Sequence, residues 1–185
     1  EIKDNLPTMT SAVHPFTDYQ PVLACAPSVD DEFYTRFLAW GYQCCGLRLP
    51  RVKNETYALL SHASVALVTS GTATLETALF NVPQVACYKT PVPGLIRFAF
   101  NHIMSCKYIS LVNLVANKEI VPELFADRFS MENIQHELQL ILPGQIIRDR
   151  MLCDYGQVRR ALGHETAPDN AAKLMIKLLK QNKDI

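Results

Sequence analysis

The sequence lacks the signatures of several chemistries at once. Its 185 residues contain no G-x-G-x-x-G, no G-x-x-x-x-G-K-[ST] and no G-x-S-x-G, so neither a dinucleotide fingerprint, nor a P-loop, nor the nucleophile elbow of an α/β-hydrolase supports a function. Net charge is missing too. Eighteen basic residues balance eighteen acidic ones, which leaves no long-range field to draw the chain to nucleic acid or to an acidic surface. The six cysteines form no C-x-x-C pair. They lie mostly in apolar runs, Cys25 in Val22–Ala26 and Cys87 in Val85–Tyr88, which favours small buried hydrophobes in a reducing, cytoplasmic setting over disulfides or a zinc site. The histidines (His14, His62, His102, His136, His164) stand singly and read as solvated or packing residues rather than metal ligands. No signal-peptide pattern opens the chain, no apolar run reaches the roughly 20 residues of a membrane span, and no internal repeat is present. An initiator methionine is also absent: the chain opens at Glu1, in what reads as a helix already under way in something longer.

What is present is ordinary globular composition, 49% hydrophobic and 19% charged, enough for one sizeable core or for one domain with an appendage. Apolar runs alternate with helical patterns. After the opening helix, Tyr19–Ala26 reads as a strand, then a helix spans Asp31–Ala39 with Ser28 and Asp31 as its cap, Phe33, Phe37 and Leu38 on its buried face, and Gly41 as its end. A short strand over Tyr42–Leu47, a helix over Thr56–Ala63, a strand over Gln84–Tyr88, a stiff loop over Lys89–Gly94, a very apolar helix over Leu95–Met104 and a strand over Tyr108–Leu114 follow. Such alternation predicts an α/β fold, a Rossmann-like parallel sheet with helices on both faces. From Ser130 the chain turns helical. One helix covers Met131–Leu142; a second carries Ile147, Met151, Tyr155, Val158 and Leu162 on one face and stops at Gly163; a third, Ala171–Lys180, buries Leu174, Met175, Leu178 and Leu179. Residues 1–145 then form the sheet domain and 146–185 a helical tail.

The whole is organised around Val65–Leu79: a short apolar strand, the small-residue turn Ser70-Gly71-Thr72, and a helix. A helix N-terminus leaves backbone N–H groups unpaired and carries partial positive charge, so a phosphate can sit there without a lysine, with Gly71 allowing its approach. Glu76 lies about one turn further in. Two readings of it stand: an acceptor for a ribose diol, or simple complementarity to the helix dipole. A capping box is excluded because Ala73 occupies the position that needs Ser or Thr. Ligands of doubly wound sheets bind beyond the carboxyl ends of the strands, which makes Ser70 to Glu76 (Thr74 included), Tyr88 to Thr90 and the neighbourhood of Asn113 the candidate residues. Lys89 reads either as a partner for a diphosphate or as solvent-exposed. Asn113, an amide among aliphatic residues, must be a strand-end cap or a ligand contact. Glu119 and Glu123, either side of Pro122, read as a solvated helix start. The Leu95–Met104 helix fits burial against the sheet or a partner domain, and also a membrane interface.

Three strings go beyond generic patterning: Ser70-Gly71-Thr72-Ala73-Thr74-Leu75-Glu76; Pro83-Gln84-Val85 with Tyr88-Lys89; and Tyr108 through Leu124, with Asn113, Ala116, Asn117 and Glu119. Together they resemble the lipid-A-disaccharide synthases of Gram-negative bacteria, over most of the chain. The first string alone is shared with other nucleotide-sugar transferases. The resemblance implies the C-terminal, donor-binding half of a GT-B glycosyltransferase, inverting and independent of metal or cofactor, that joins UDP-2,3-diacylglucosamine to 2,3-diacylglucosamine 1-phosphate (lipid X) and releases UDP. It implies that Ser70, Gly71 and Thr72 hold the diphosphate and Glu76 the ribose, with Thr74, Tyr88 and Lys89 nearby and Asn113 and Glu119 on the donor-side wall of the cleft. The family's acceptor domain, with its general base, lies outside this sequence, so the chain alone is expected to transfer nothing. The strand and glycine-arginine loop that the family carries just before the position of Glu1 are outside it as well; that strand is central in a doubly wound sheet, so the chain is expected to leave a gap there, to borrow a strand, or to be part of something longer. Where the family has glycine, this sequence has Asn117, a residue that tolerates a left-handed backbone. Contact with the inner face of the cytoplasmic membrane and a homodimer through the C-terminal helices are further expectations. Another GT-B enzyme, such as a UDP-sugar epimerase, and a non-catalytic nucleotide-binding module are the alternatives.

Overall fold

A computed structural model describes residues 2–46, 49–90, 107–163 and 167–181; the expected Leu95–Met104 helix lies outside them. The elements in order are α1 (Ile2–Val13), β1 (Leu23–Cys25), α2 (Asp31–Cys45), β2 (Arg51–Lys53), α3 (Thr56–His62), β3 (Ala66–Val68), α4 (Gly71–Leu79), β4 (Gln84–Tyr88), α5 (Leu111–Ala116), β5 (Glu123–Phe125), α6 (Met131–Leu140), α7 (Ile146–Leu162) and α8 (Ala167–Gln181). All strand pairings among the described residues are parallel, in the register Leu23 to Arg51, Ala66 to Gln84 and Ala86 to Glu123. The fold is α/β, as alternation required.

The strands form two sheets, β1-β2 and β3-β4-β5. Between them lies a cleft of about 820 Å³, lined by Leu23 and Ala24 of β1, Ala66 and Val68 of β3, and Asn5 and Met9 of α1. Reading across gives β2-β1, cleft, β3-β4-β5. In a doubly wound sheet a central strand would occupy the place of this cleft; among the described residues no strand does.

Three local expectations are corrected. Helix α2 does not end at Gly41 but runs to Cys45, so Tyr42–Cys45, expected as the start of a strand, is helical. One glycine inside a helix costs about 1 kcal/mol relative to alanine and does not stop it. The chain leaves the helix at Gly46, whose φ of +66° is the left-handed conformation a helix end needs. The anchor of α2 is Tyr34, 1% exposed, with Phe33 edge-on at 5.7 Å; Phe33, Phe37 and Leu38 are only half-buried. The Tyr34 hydroxyl accepts a bond from the Ala26 backbone N–H at 3.0 Å.

The expected strand over Tyr108–Leu114 is instead the short helix α5. A brief apolar run does not distinguish strand from buried helix by periodicity. Asn117 ends α5 at φ +47°, ψ +36°, the left-handed conformation anticipated for it, and the last strand is β5. In the tail, Leu174, Met175, Leu178 and Leu179 on α8 are 60–66% exposed rather than buried, because no described element covers that face.

The core gathers Val85, Ala86 and Cys87 of β4 with Val112, Leu124, Ile134, Ile141, Met151, Tyr155 and Val158. The tail helix α7 is thus part of this core through the middle of its predicted face, while Ile147 and Leu162 at its ends stay exposed. Tyr155 donates to the Val82 carbonyl at 3.1 Å and accepts from Gln84 Nε2 at 3.3 Å. Burial pushes its phenol well above the usual tyrosine range.

Cys25 and Cys87 are buried and free, whereas Cys153 is exposed. Burial raises the Cys87 thiol to about 12, so at pH 8, four pH units lower, only about one molecule in ten thousand carries the reactive thiolate. Alkylation by iodoacetamide at pH 8, followed by peptide mass spectrometry, should therefore label Cys153 within minutes and Cys87 only in denaturant.

Candidate functional site

The turn after β3 is shaped by local rules. Ser70 sits in extended backbone (φ −114°, ψ 136°) as the N-cap of α4, and its carbonyl accepts from the Thr74 N–H at 3.2 Å. Its side chain makes no capping bond; the hydroxyl lies 3.5 Å from Thr72 Oγ1. The first-turn N–H groups of Gly71, Thr72 and Ala73 therefore have no side-chain acceptor among the described residues, which leaves the end of α4 with its donors and its partial charge unspent. Among the described residues, a Cβ added at Gly71 would meet only the Ile109 carbonyl, at 3.9 Å. The packing of the described residues does not demand glycine here.

The predicted residues separate into two groups. Ser70 and Thr72 are exposed, Gly71 and Glu76 half-exposed, and all but Glu76 lie on one turn. Glu76 accepts from the Tyr57 hydroxyl of α3 at 3.2 Å. Tyr88 and Lys89 follow at the carboxyl end of β4, which pairs with β3 in parallel and so opens on the same edge of the sheet. Lys89 is exposed, and its backbone N–H is fixed by Asn5 Oδ1 at 2.7 Å. Glu119 is exposed on the loop between α5 and β5.

Thr74 and Asn113 face inward instead. Thr74 is fully buried; its hydroxyl donates to the Gly71 carbonyl and its carbonyl accepts from Gln84 Nε2 at 2.8 Å. It holds α4 against β4 and the turn in shape. Asn113 is also fully buried. Its Nδ2 donates to the Val121 carbonyl (2.9 Å) and to Glu123 Oε1 (2.8 Å), and its Oδ1 accepts from the Ile120 and Val121 N–H groups (2.8 and 3.0 Å). Two donors and two acceptors exhaust the amide, so the side chain makes the bonds of a cap and keeps none for a ligand.

Glu123 departs furthest from its sequence reading. It is 5% exposed rather than solvated. Besides Asn113, its carboxylate accepts from the Ile109 and Ser110 N–H groups, each at 2.9 Å, and from Ser110 Oγ at 2.6 Å. These bonds pin the segment before α5 whose Ile109 carbonyl faces Gly71. One signal pointed to the pair: Asn113 and Glu123 each interrupt an apolar run, and each is the partner the other needs. Lys118 and Asp154 then tie the loop after α5 to α7 at 2.7 Å. Among the described residues, no three His, Cys, Asp or Glu side chains are grouped as metal ligands would be, and no helix is long and apolar enough to cross a membrane.

A sequence model of the family described as lipid-A-disaccharide synthetase matches residues 1–173. Among curated proteins, the chain is 34% identical over 175 residues to a lipid-A-disaccharide synthase of Gloeothece citriformis, covering 94% of this chain and 45% of the relative. It is 32% identical over 186 residues to that of Syntrophus aciditrophicus (98% and 47%) and 30% identical over 186 residues to that of Myxococcus xanthus (97% and 46%). The chain thus spans about half the length of the curated relatives it matches.

Proposed function

This chain belongs to the lipid-A-disaccharide synthase family, and from that premise we propose that it is the donor-nucleotide-binding part of a glycosyltransferase of lipid A biosynthesis. The observation that carries this reading is the uncapped N-terminus of α4 at the carboxyl edge of the sheet, with Gly71 open above it and Glu76 a turn deeper. In this proposal the donor is UDP-2,3-diacylglucosamine and the acceptor 2,3-diacylglucosamine 1-phosphate, whose 6-hydroxyl attacks the anomeric carbon from the face opposite the nucleotide. Negative charge grows on the departing diphosphate. The N–H groups of Gly71 to Ala73 and the α4 dipole stabilise it in place, already oriented before the bond breaks. The hydroxyls of Ser70 and Thr72 add donors beside them.

Glu76 accepts from the ribose diol in this scheme, Lys89 adds positive charge beyond β4, and Tyr88 and Glu119 line the same edge. Thr74 and Asn113 serve indirectly by holding the turn and the α5 segment. The reading needs no cofactor and no metal. The half of the relatives' length beyond this chain would supply the acceptor site and the base that takes the hydroxyl proton, and the enzyme would work at the cytoplasmic face of the inner membrane, where its acylated substrates reside.

The test is calorimetric titration of UDP into the chain and its Glu76→Ala variant. A charged acceptor bonded to a ligand hydroxyl contributes about 1.5–3 kcal/mol, so affinity should fall at least about tenfold while the melting temperature stays put. An unaltered UDP affinity would remove Glu76 from the site.

A further inference from the structure

Glu76 does not stand alone on α4. Phe80 lies four residues on, on the same helix face, and the Tyr57 ring of α3 stacks on it with centroids 5.3 Å apart and planes 20° from parallel. The Tyr57 hydroxyl then donates to Glu76 Oε1 at 3.2 Å. One aromatic side chain is therefore held by its ring and holds the carboxylate by its tip. Tyr57 is otherwise 57% exposed, more than an aromatic ring retained for burial would be.

We infer that Tyr57 is a positioning residue for the Glu76 carboxylate and thereby sets the preference of the site for a ribonucleoside diphosphate over its 2′-deoxy counterpart. This rests on the donor reading given above. A vicinal diol is recognised by two oxygens of one carboxylate in a fixed plane. A glutamate on a helix surface samples several rotamers, and ordering it on binding weakens affinity. The bond from Tyr57 fixes the plane beforehand and occupies one acceptor site on Oε1. Oε2 and the second acceptor site of Oε1 stay open to the two ribose hydroxyls. Phe80 keeps the tyrosine from swinging into solvent, so the three side chains act as one unit spanning two helices.

The experiment titrates UDP and 2′-deoxy-UDP into the 185-residue chain and its Tyr57→Phe, Glu76→Ala and double variants. Tyr57→Phe keeps the stack and removes only the hydroxyl. Loss of preorganisation should weaken UDP about three- to tenfold and 2′-deoxy-UDP hardly at all, compressing the ratio of the two affinities. On the Glu76→Ala background the same change should do nothing, because a residue acting through a carboxylate has no effect once the carboxylate is gone. If Glu76→Ala weakens UDP but Tyr57→Phe does not, or weakens both nucleotides equally, the positioning role is overturned and the donor site stands. An equal loss from Tyr57→Phe with and without Glu76 overturns it as well, since the hydroxyl would then touch the ligand itself. If wild type shows no UDP affinity the donor reading fails, and if Glu76→Ala leaves that affinity unaltered only Glu76 leaves the site; either result takes the inference with it.

Discussion

Glu123→Ala is expected to lower folding stability by about 3–5 kcal/mol, an exceptional loss for one substitution. The mutation strands the N–H groups of Ile109 and Ser110, the Ser110 hydroxyl and one Asn113 amide proton, all of which now end on a single carboxylate. Each buried donor left unpaired costs about 1–3 kcal/mol, and entry of water with some backbone relaxation keeps the total below the simple sum. Domains of this kind are stable by only about 5–15 kcal/mol, so a large part of the margin would go. Urea unfolding followed by circular dichroism measures the loss directly. Glu119→Ala, four residues away on the exposed loop, is the matched control and should stay within about 0.5 kcal/mol of wild type. A loss below about 1 kcal/mol for Glu123→Ala would mean that this network does not hold the segment facing Gly71.

Ser70→Asp should act in opposite directions on folding and on ligand binding. The Ser70 hydroxyl makes no capping bond, and aspartate is a preferred N-cap whose charge complements the helix dipole, so stability should rise by about 0.5–1 kcal/mol. The same carboxylate would stand where a diphosphate is proposed to bind. Two like charges about 4 Å apart repel by several kcal/mol near a protein surface, enough to weaken UDP about a hundredfold or more. Ser70→Asn caps without charge and should retain most of the UDP affinity. Thermal melts and calorimetry on the three proteins give both readings. Were Ser70→Asp to bind UDP as tightly as wild type, the anion would not lie at this helix end.

The local grammar of the chain was readable from residue order. The strand-turn-helix at Val65–Leu79 depends on contacts within fifteen residues of sequence, and so does the left-handed turn at Asn117. Parallel alternation also followed from the order of elements. Reading failed where a short run carries no period of its own. Tyr42–Leu47 and Tyr108–Leu114 are both apolar enough for a strand, yet Gly46 and Asn117 end helices there, since neighbouring elements decide which surface such a run covers.

By itself, the sequence determined the parallel α/β class, the strand-turn-helix around Ser70 to Thr72 and the family, each carried by the order of residues along the chain. Only the tertiary structure decided which polar residues stay exposed and which face one another. Asn113 and Glu123 are ten residues apart, Thr74 and Gln84 likewise, Tyr57 and Glu76 nineteen. A buried donor or acceptor takes whatever partner the packing brings within about 3 Å, and the spacing of letters along the chain does not encode that meeting.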